Sequence, residues 1–231
     1  MKMLGAAAGA AFLLAGGAAF GADLDPRVVE APQASADPFG YLALRGGAAW
    51  YDDSEFLLAG PTRVANAYED NPFAGTVAFG GQFAWGRVEA EVGFFGADVE
   101  THTTIVGGVV TPFAAADSFG RLSARTVMVN AFYDFDFGAI KPFVGVGAGF
   151  GRVKAEGFGV TGLTDLLVDS DRGLAWQVSA GLGYEVMEGL DMELGYRYQN
   201  IDGIELVSAD GTASDFDFAT HFVFAGIRAA F

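Results

Sequence analysis

Seven ionisable side chains share a strand face with glycines and short polar residues, not with the apolar residues around them. They are Arg45, Glu89, Glu91, Lys141, Glu193, Arg197 and Arg228. Opposite charges collected on one face can pair into a network that fixes strand register, or they can line a gated, low-conductance path for ions. A buried charge needs a partner, since removing one member of a buried pair costs about 3–5 kcal/mol. Catalytic chemistry has less to work with. Glu89 and Glu91 lie on one face, but no third group divides acid and base roles between them. His221 is followed by Phe222 and Val223 and not by a serine, and His102 sits between Thr101 and Thr103 in a connection. A hydroxyl nucleophile requires a base within hydrogen-bond reach, and these residues offer none. No catalytic, cofactor or metal site is assigned. Gly145, Gly147, Gly149 and Gly151 alternate along one strand; a phosphate loop would need a strand-to-helix turn. They are better read as leaving room for side chains inside a curved wall.

The elements that must carry these charges show a period of two. Phe73, Val77, Phe79, Phe83 and Trp85 oppose Thr76, Gly80 and Gln82. Val88, Ala90, Val92 and Phe94 oppose Arg87, Glu89, Glu91 and Gly93, and Met192, Leu194, Tyr196 and Tyr198 oppose Glu193, Gly195, Arg197 and Gln199. Such alternation is a strand with one apolar and one polar side. Eight segments repeat it: 39–51, 73–85, 87–99, 122–135, 141–151, 174–186, 190–200 and 216–231. Short turns follow the second, fourth and sixth, and long acidic loops follow the first, third, fifth and seventh. An antiparallel, up-and-down transmembrane β-barrel of eight strands is expected, all-β, with short periplasmic turns and longer external loops. Its interior is narrow enough for side chains to fill, so the charges are read first as a plug and second as a pore.

The last strand sets the closure. Val223, Ala225, Ile227, Ala229 and Phe231 form an unbroken apolar face, and a terminal strand without cover must pair with the first. Aromatic residues at strand ends (Trp85, Phe137, Tyr184 and Phe231 on one side; Tyr51, Phe73, Phe150, Trp176 and Tyr198 on the other) read as two interfacial girdles.

Composition agrees. A net charge of −16 beside a mean hydropathy of +0.32 makes sense if apolar residues face lipid while charges occupy loops and lumen. The acidity disfavours nucleic acid, and the absence of cysteine excludes disulfides, thiol nucleophiles and a lipidated start. Residues 1–21 read as a signal peptide, with Lys2, an Ala-rich apolar run and Ala19-Phe20-Gly21 as cleavage site. Residues 22–38, rich in proline, form a flexible periplasmic lead-in, and the barrel occupies 39–231. The loop acids (Asp52, Asp53, Glu55, Glu69 and Asp70, then Asp202, Glu205, Asp210 and Asp215) form a solvated exterior. They lack EF-hand spacing, though carboxylates can bridge divalent cations to lipid phosphates.

Several stretches resemble the opacity-protein and OmpA-like family of eight-stranded outer-membrane barrels: YLALRGG (41–47), NAFYDFDFG (130–138), KPFVGVGAGFG (141–151), WQVSAGLGYEV (176–186), ELGYRY (193–198) and HFVFAGIRAAF (221–231). The resemblance implies a Gram-negative outer-membrane location and insertion by the barrel-assembly machinery, which reads a C-terminal strand ending in phenylalanine. Outer-membrane lipid and lipopolysaccharide are the expected surroundings, and a monomer is expected. The function expected is structural: envelope integrity and display of surface loops. A narrow channel or a surface adhesin is the alternative.

Overall fold

The computed structural model describes residues 40–58, 60, 62–68 and 73–231. The expected signal peptide and lead-in, with Phe39, Glu69 and Asp70, lie outside the described residues. The strands are β1 (Gly40–Tyr51), β2 (Ser54–Leu57), β3 (Thr62–Tyr68), β4 (Phe73–Phe83), β5 (Gly86–Val106) and β6 (Val109–Pro112). After one 3-10 turn come β7 (Ser118–Asp134), β8 (Ile140–Val160), β9 (Leu163–Met187), β10 (Leu190–Val207) and β11 (Ala213–Ala230).

Neighbouring strands pair antiparallel, and the last pairs with the first: Tyr41 faces Ala230 and Tyr51 faces Thr220. β5 pairs with β7 from Arg87↔Phe132 to Asp98↔Arg121. The ring β1–β4–β5–β7–β8–β9–β10–β11 therefore closes as eight antiparallel strands. Closure satisfies the backbone N–H and C=O groups within the wall, which hydrocarbon demands. Leu42, Phe79, Val127, Val146, Leu182, Leu194 and Ile227 all point outward and are exposed.

The expected long loops are largely strand. β8 and β9 run past their predicted ends and meet at a turn through Thr161 and Gly162, the glycine at φ +91°. β5, β10 and β11 extend likewise, and β3 pairs with the outer part of β5 beyond the point where β4 begins. β2 joins this upper wall to β11, with Leu57 N–H donating to Ser214 Oγ at 2.8 Å and Ser208 Oγ donating to Leu57 O at 2.8 Å. The cylinder thus has an outer storey.

The reason lies in the sign of the alternation. Along β8, Val144, Val146 and Phe150 point out, but farther along Val153, Ala155 and Phe158 point in, while Arg152 and Lys154 face out. Lipid against the lower wall requires apolar residues outside; water around the upper wall requires them inside. Phe56, Val64, Leu122, Phe158, Leu167, Ile204, Leu206 and Phe218 fill this upper interior. Tyr51 belongs to that filling and not to the outer girdle. It is half-buried against Phe218 and Tyr68 and donates its hydroxyl to Gly96 O at 3.3 Å. His102, expected in a connection, lies on β5 and is buried.

Candidate functional site

Alternation on β1, β5 and β10 turns Arg45, Arg87, Glu89, Glu91, Glu193 and Arg197 into the lower lumen, where each is buried. Arg45 comes from one side and holds Glu89 through two parallel bonds, Nη1–Oε2 at 2.8 Å and Nη2–Oε1 at 2.7 Å. Its Nε donates to Glu193 Oε2 at 2.7 Å, and Nη1 lies 3.3 Å from Glu91 Oε2. Arg197 forks onto Glu91 at 2.8 and 3.0 Å. Arg87 donates from Nη1 to Glu193 Oε1 at 2.8 Å and from Nε to Asp134 Oδ2 at 2.8 Å. Three guanidinium groups therefore meet three glutamates, a neutral set in which the planar forks of arginine match carboxylate geometry.

Neutral groups complete the shell. Tyr41 donates to Glu89 Oε1 at 2.9 Å, Gln177 donates to Glu91 Oε1 at 3.2 Å and to Asn130 Oδ1 at 2.6 Å, and Arg197 Nε donates to Ser179 Oγ at 3.2 Å. Aromatic faces cover the cations. The Arg87 guanidinium carbon stands 4.7 Å from the Phe132 ring centroid and 5.3 Å from that of Phe143, and Arg197 stands 5.6 Å from Phe224. The rings need space that a Cβ on the adjacent strand would deny. A Cβ on Gly145 would come within 2.2 Å of Phe132 Cδ1, and one on Gly80 within 2.4 Å of Tyr41 Cζ.

Not all of the seven expected residues meet. Arg228 lies nearer the mouth where β1 begins and β11 ends, donating to Asp191 at 2.8 Å and to Gln82 at 3.3 Å, with its Nε 3.5 Å from Glu193. Lys141 stands apart at the mouth, on Glu185 at 2.6 Å and Asp191 at 4.0 Å, and touches none of the central carboxylates. Both line an open vestibule of about 480 Å³ at that mouth. Arg87 is the member that sequence reasoning left out, although its face was assigned. The signal was present: Arg87 and Glu91 repeat, with signs exchanged and the same spacing, in Glu193 and Arg197.

The sequence profile of the Outer membrane protein beta-barrel domain matches residues 28–226. This chain belongs to the outer-membrane β-barrel family. Two solved structures with similar folds are Neisserial surface protein A and OprG from Pseudomonas aeruginosa. The first is 17% identical with a TM-score of 0.52, over 83% of this chain and 97% of that one. The second is 15% identical, also at 0.52, over 83% and 96%. At these identities the likeness is one of fold. No curated protein matches the chain. Family membership places this barrel in the Gram-negative outer membrane, with its apolar outer face against lipid. Among the described residues no helix is long and apolar enough to cross a membrane; this barrel crosses with strands.

The remaining chemistry-bearing groups lie away from the cluster. His221 Nδ1 bonds the Tyr196 hydroxyl at 2.6 Å, with Asp52 at 3.6 Å from Nε2. In the outer storey the two ring nitrogens of His102 meet Asn66 Oδ1 at 2.6 Å and Phe119 O at 2.9 Å, and burial pulls its pKa below the usual histidine value. Among the described residues no group of three or more acidic, histidine or cysteine side chains converges as a metal would require.

Proposed function

We propose that this chain is a structural barrel of the outer membrane, with a lumen shut by its own side chains and an outer storey presented to the cell exterior. One observation carries the reading: Arg87–Glu193 and Glu91–Arg197 tie β5 to β10, strands on opposite sides of the ring, at 2.8 Å each. Above that closure, Phe158, Ile204 and Phe218 fill the same bore with apolar volume. Ions would have to break paired charges and then cross a dry segment. The outward strip of Val223, Ala225, Ile227 and Ala229 on β11, continued by Phe231 just past its end, is exposed and supports its reading by the barrel-assembly machinery during insertion. The barrel acts as a monomer among outer-membrane lipid and lipopolysaccharide and catalyses no reaction.

Planar-bilayer recordings test this. Folded wild-type protein gives no discrete openings, and its deletion from the host increases leakage of a normally excluded dye. Stable openings in the wild type that change in Arg45→Ala or Glu91→Ala would replace this reading with that of a gated pore. Hydrolysis of labelled lipid A, lost in His221→Ala, would replace it with an enzyme.

A surface-binding role has one observation in its favour. The β5–β6 hairpin tip exposes Val106, Val109 and Val110 around the turn at Gly107 and Gly108. Exposed apolar side chains of this kind mark contact surfaces. Cell binding by the folded protein, reduced in Val109→Thr/Val110→Thr, would favour it.

A further inference from the structure

Three arginines stand side by side on the outer surface of the wall. Arg125 of β7 is the register partner of Arg152 of β8, and Arg152 is the register partner of Arg172 of β9. All three point outward and are exposed. Strands in a sheet lie about 4.8 Å apart, so three positive charges occupy neighbouring positions in one row. Like charges directly opposite one another are destabilising. Among the described residues none of the three has a carboxylate in salt-bridge range; the one bond shown is Arg152 Nη2 donating to Ser170 Oγ at 2.7 Å. Nearby Arg121 and Lys154, by contrast, are paired, with Asp98 at 2.8 Å and Glu156 at 2.5 Å. A chain with a net charge of −16 has acids to spare, yet even Asp202, which lines the groove beside Arg172, accepts from Trp176 Nε1 at 3.1 Å and makes no ion pair with the row.

The level of the row says what covers it. Two residues toward the membrane on the same face stand Val127, Phe150 and Leu174, each more than half exposed at 63%, 67% and 63%. A step of two strand residues is about 6.6 Å. Each arginine thus stands one step outside the apolar band, where lipid headgroups begin. A surface groove of about 390 Å³ lined by Phe150, Arg172, Leu174 and Asp202 joins the two zones. We propose that Arg125, Arg152 and Arg172 form a binding site for the phosphate groups of an outer-leaflet lipid, with its acyl chains lying against Val127, Phe150 and Leu174. Guanidinium groups bind phosphate bidentately, and the apolar ledge selects an anion attached to chains over a free one. The site uses the outer wall and leaves the closed lumen untouched. It rests on the orientation of the barrel in the membrane, not on the lumen's state.

The test uses full-length protein folded in detergent, with native mass spectrometry reporting retained lipid. Diphosphorylated lipid A is the probe, with its dephosphorylated form and inorganic phosphate as comparisons. Wild type retains lipid A and loses at least tenfold in retention on the dephosphorylated form. The triple variant R125Q/R152Q/R172Q loses a similar factor, while R125K/R152K/R172K retains an intermediate amount and R121Q is unchanged. Heat-modified gel migration verifies that each variant is folded. Equal retention by wild type and the folded glutamine triple would overturn the proposal. So would inorganic phosphate displacing lipid A at equal concentration, which would make the site one for free phosphate. Bilayer recordings would be unaffected in every case, so failure here is distinguishable from failure of the closed-barrel reading.

Discussion

Arg197 and Glu91 stand on strands diametrically opposite in the ring, yet their side chains meet through two bonds of 2.8 and 3.0 Å. Both are fully buried, Glu91 also receives Arg45 and Gln177, and the guanidinium lies under Phe224. A bond across the diameter fixes the bore as well as the register.

Glu91→Ala leaves the Arg197 guanidinium buried without its carboxylate and is expected to cost about 3–5 kcal/mol. Urea unfolding in lipid vesicles, followed by tryptophan fluorescence, measures this. Glu91→Leu combined with Arg197→Met is expected to recover part of the loss, because an apolar pair of similar volume removes the stranded charge. A double variant no better than the single one would mean that Arg45, and not Arg197, is the partner that matters.

The apolar filling of the outer storey contributes stability separately from the ion cluster. Phe158 packs edge-on to Phe56, with ring centroids 6.2 Å apart. Phe158→Ala should therefore cost about 3–5 kcal/mol through lost burial and the cavity left behind. On the closed-lumen reading, the ion bridges below remain in this variant, and its bilayer recordings should stay silent.

Gly145 lies beneath the Phe132 ring, where any Cβ would overlap it. Gly145→Val forces the ring off the Arg87 guanidinium and should destabilise the barrel by about 1–3 kcal/mol. Double substitution with Phe132→Leu should restore part of that, as read from the temperature at which heat-modified migration appears.

His102 makes the outer storey sensitive to acid. Burial lowers its folded pKa, whereas in the unfolded chain it titrates near about 6.5. Below that pH the unfolded state takes up more protons than the folded one, so stability is full above it and falls as pH drops toward the folded value. Protection factors of β3 amides, exchange rates divided by their intrinsic rates at each pH, should fall between neutral pH and pH 5, since β3 pairs with β5 around Asn66 and His102. His102→Gln should flatten that dependence.

Much of this was legible in the sequence. Alternation at 73–85 and 190–200 marked strands because lipid outside and charge inside give opposite faces opposite chemistry, and the apolar end of β11 marked the seam with β1. The inward faces of Arg45, Glu89, Glu91, Glu193, Arg197 and Arg228 followed from parity alone. The outer storey did not follow, since its strands carry the same period with inverted sense. At Arg152 and Lys154 the outward residues turn polar, which read as loop.

Sequence by itself determined the strand period, the closed ring and the side of the wall on which each charge stands. These depend on which neighbours along the chain share a face, a one-dimensional property. Only the tertiary structure decided that Arg87 joins the cluster, that Lys141 stays at the mouth and that Arg125, Arg152 and Arg172 share a row. Those relations depend on stagger between strands far apart in the chain. Backbone pairing around the whole ring sets that stagger, and no single strand encodes it.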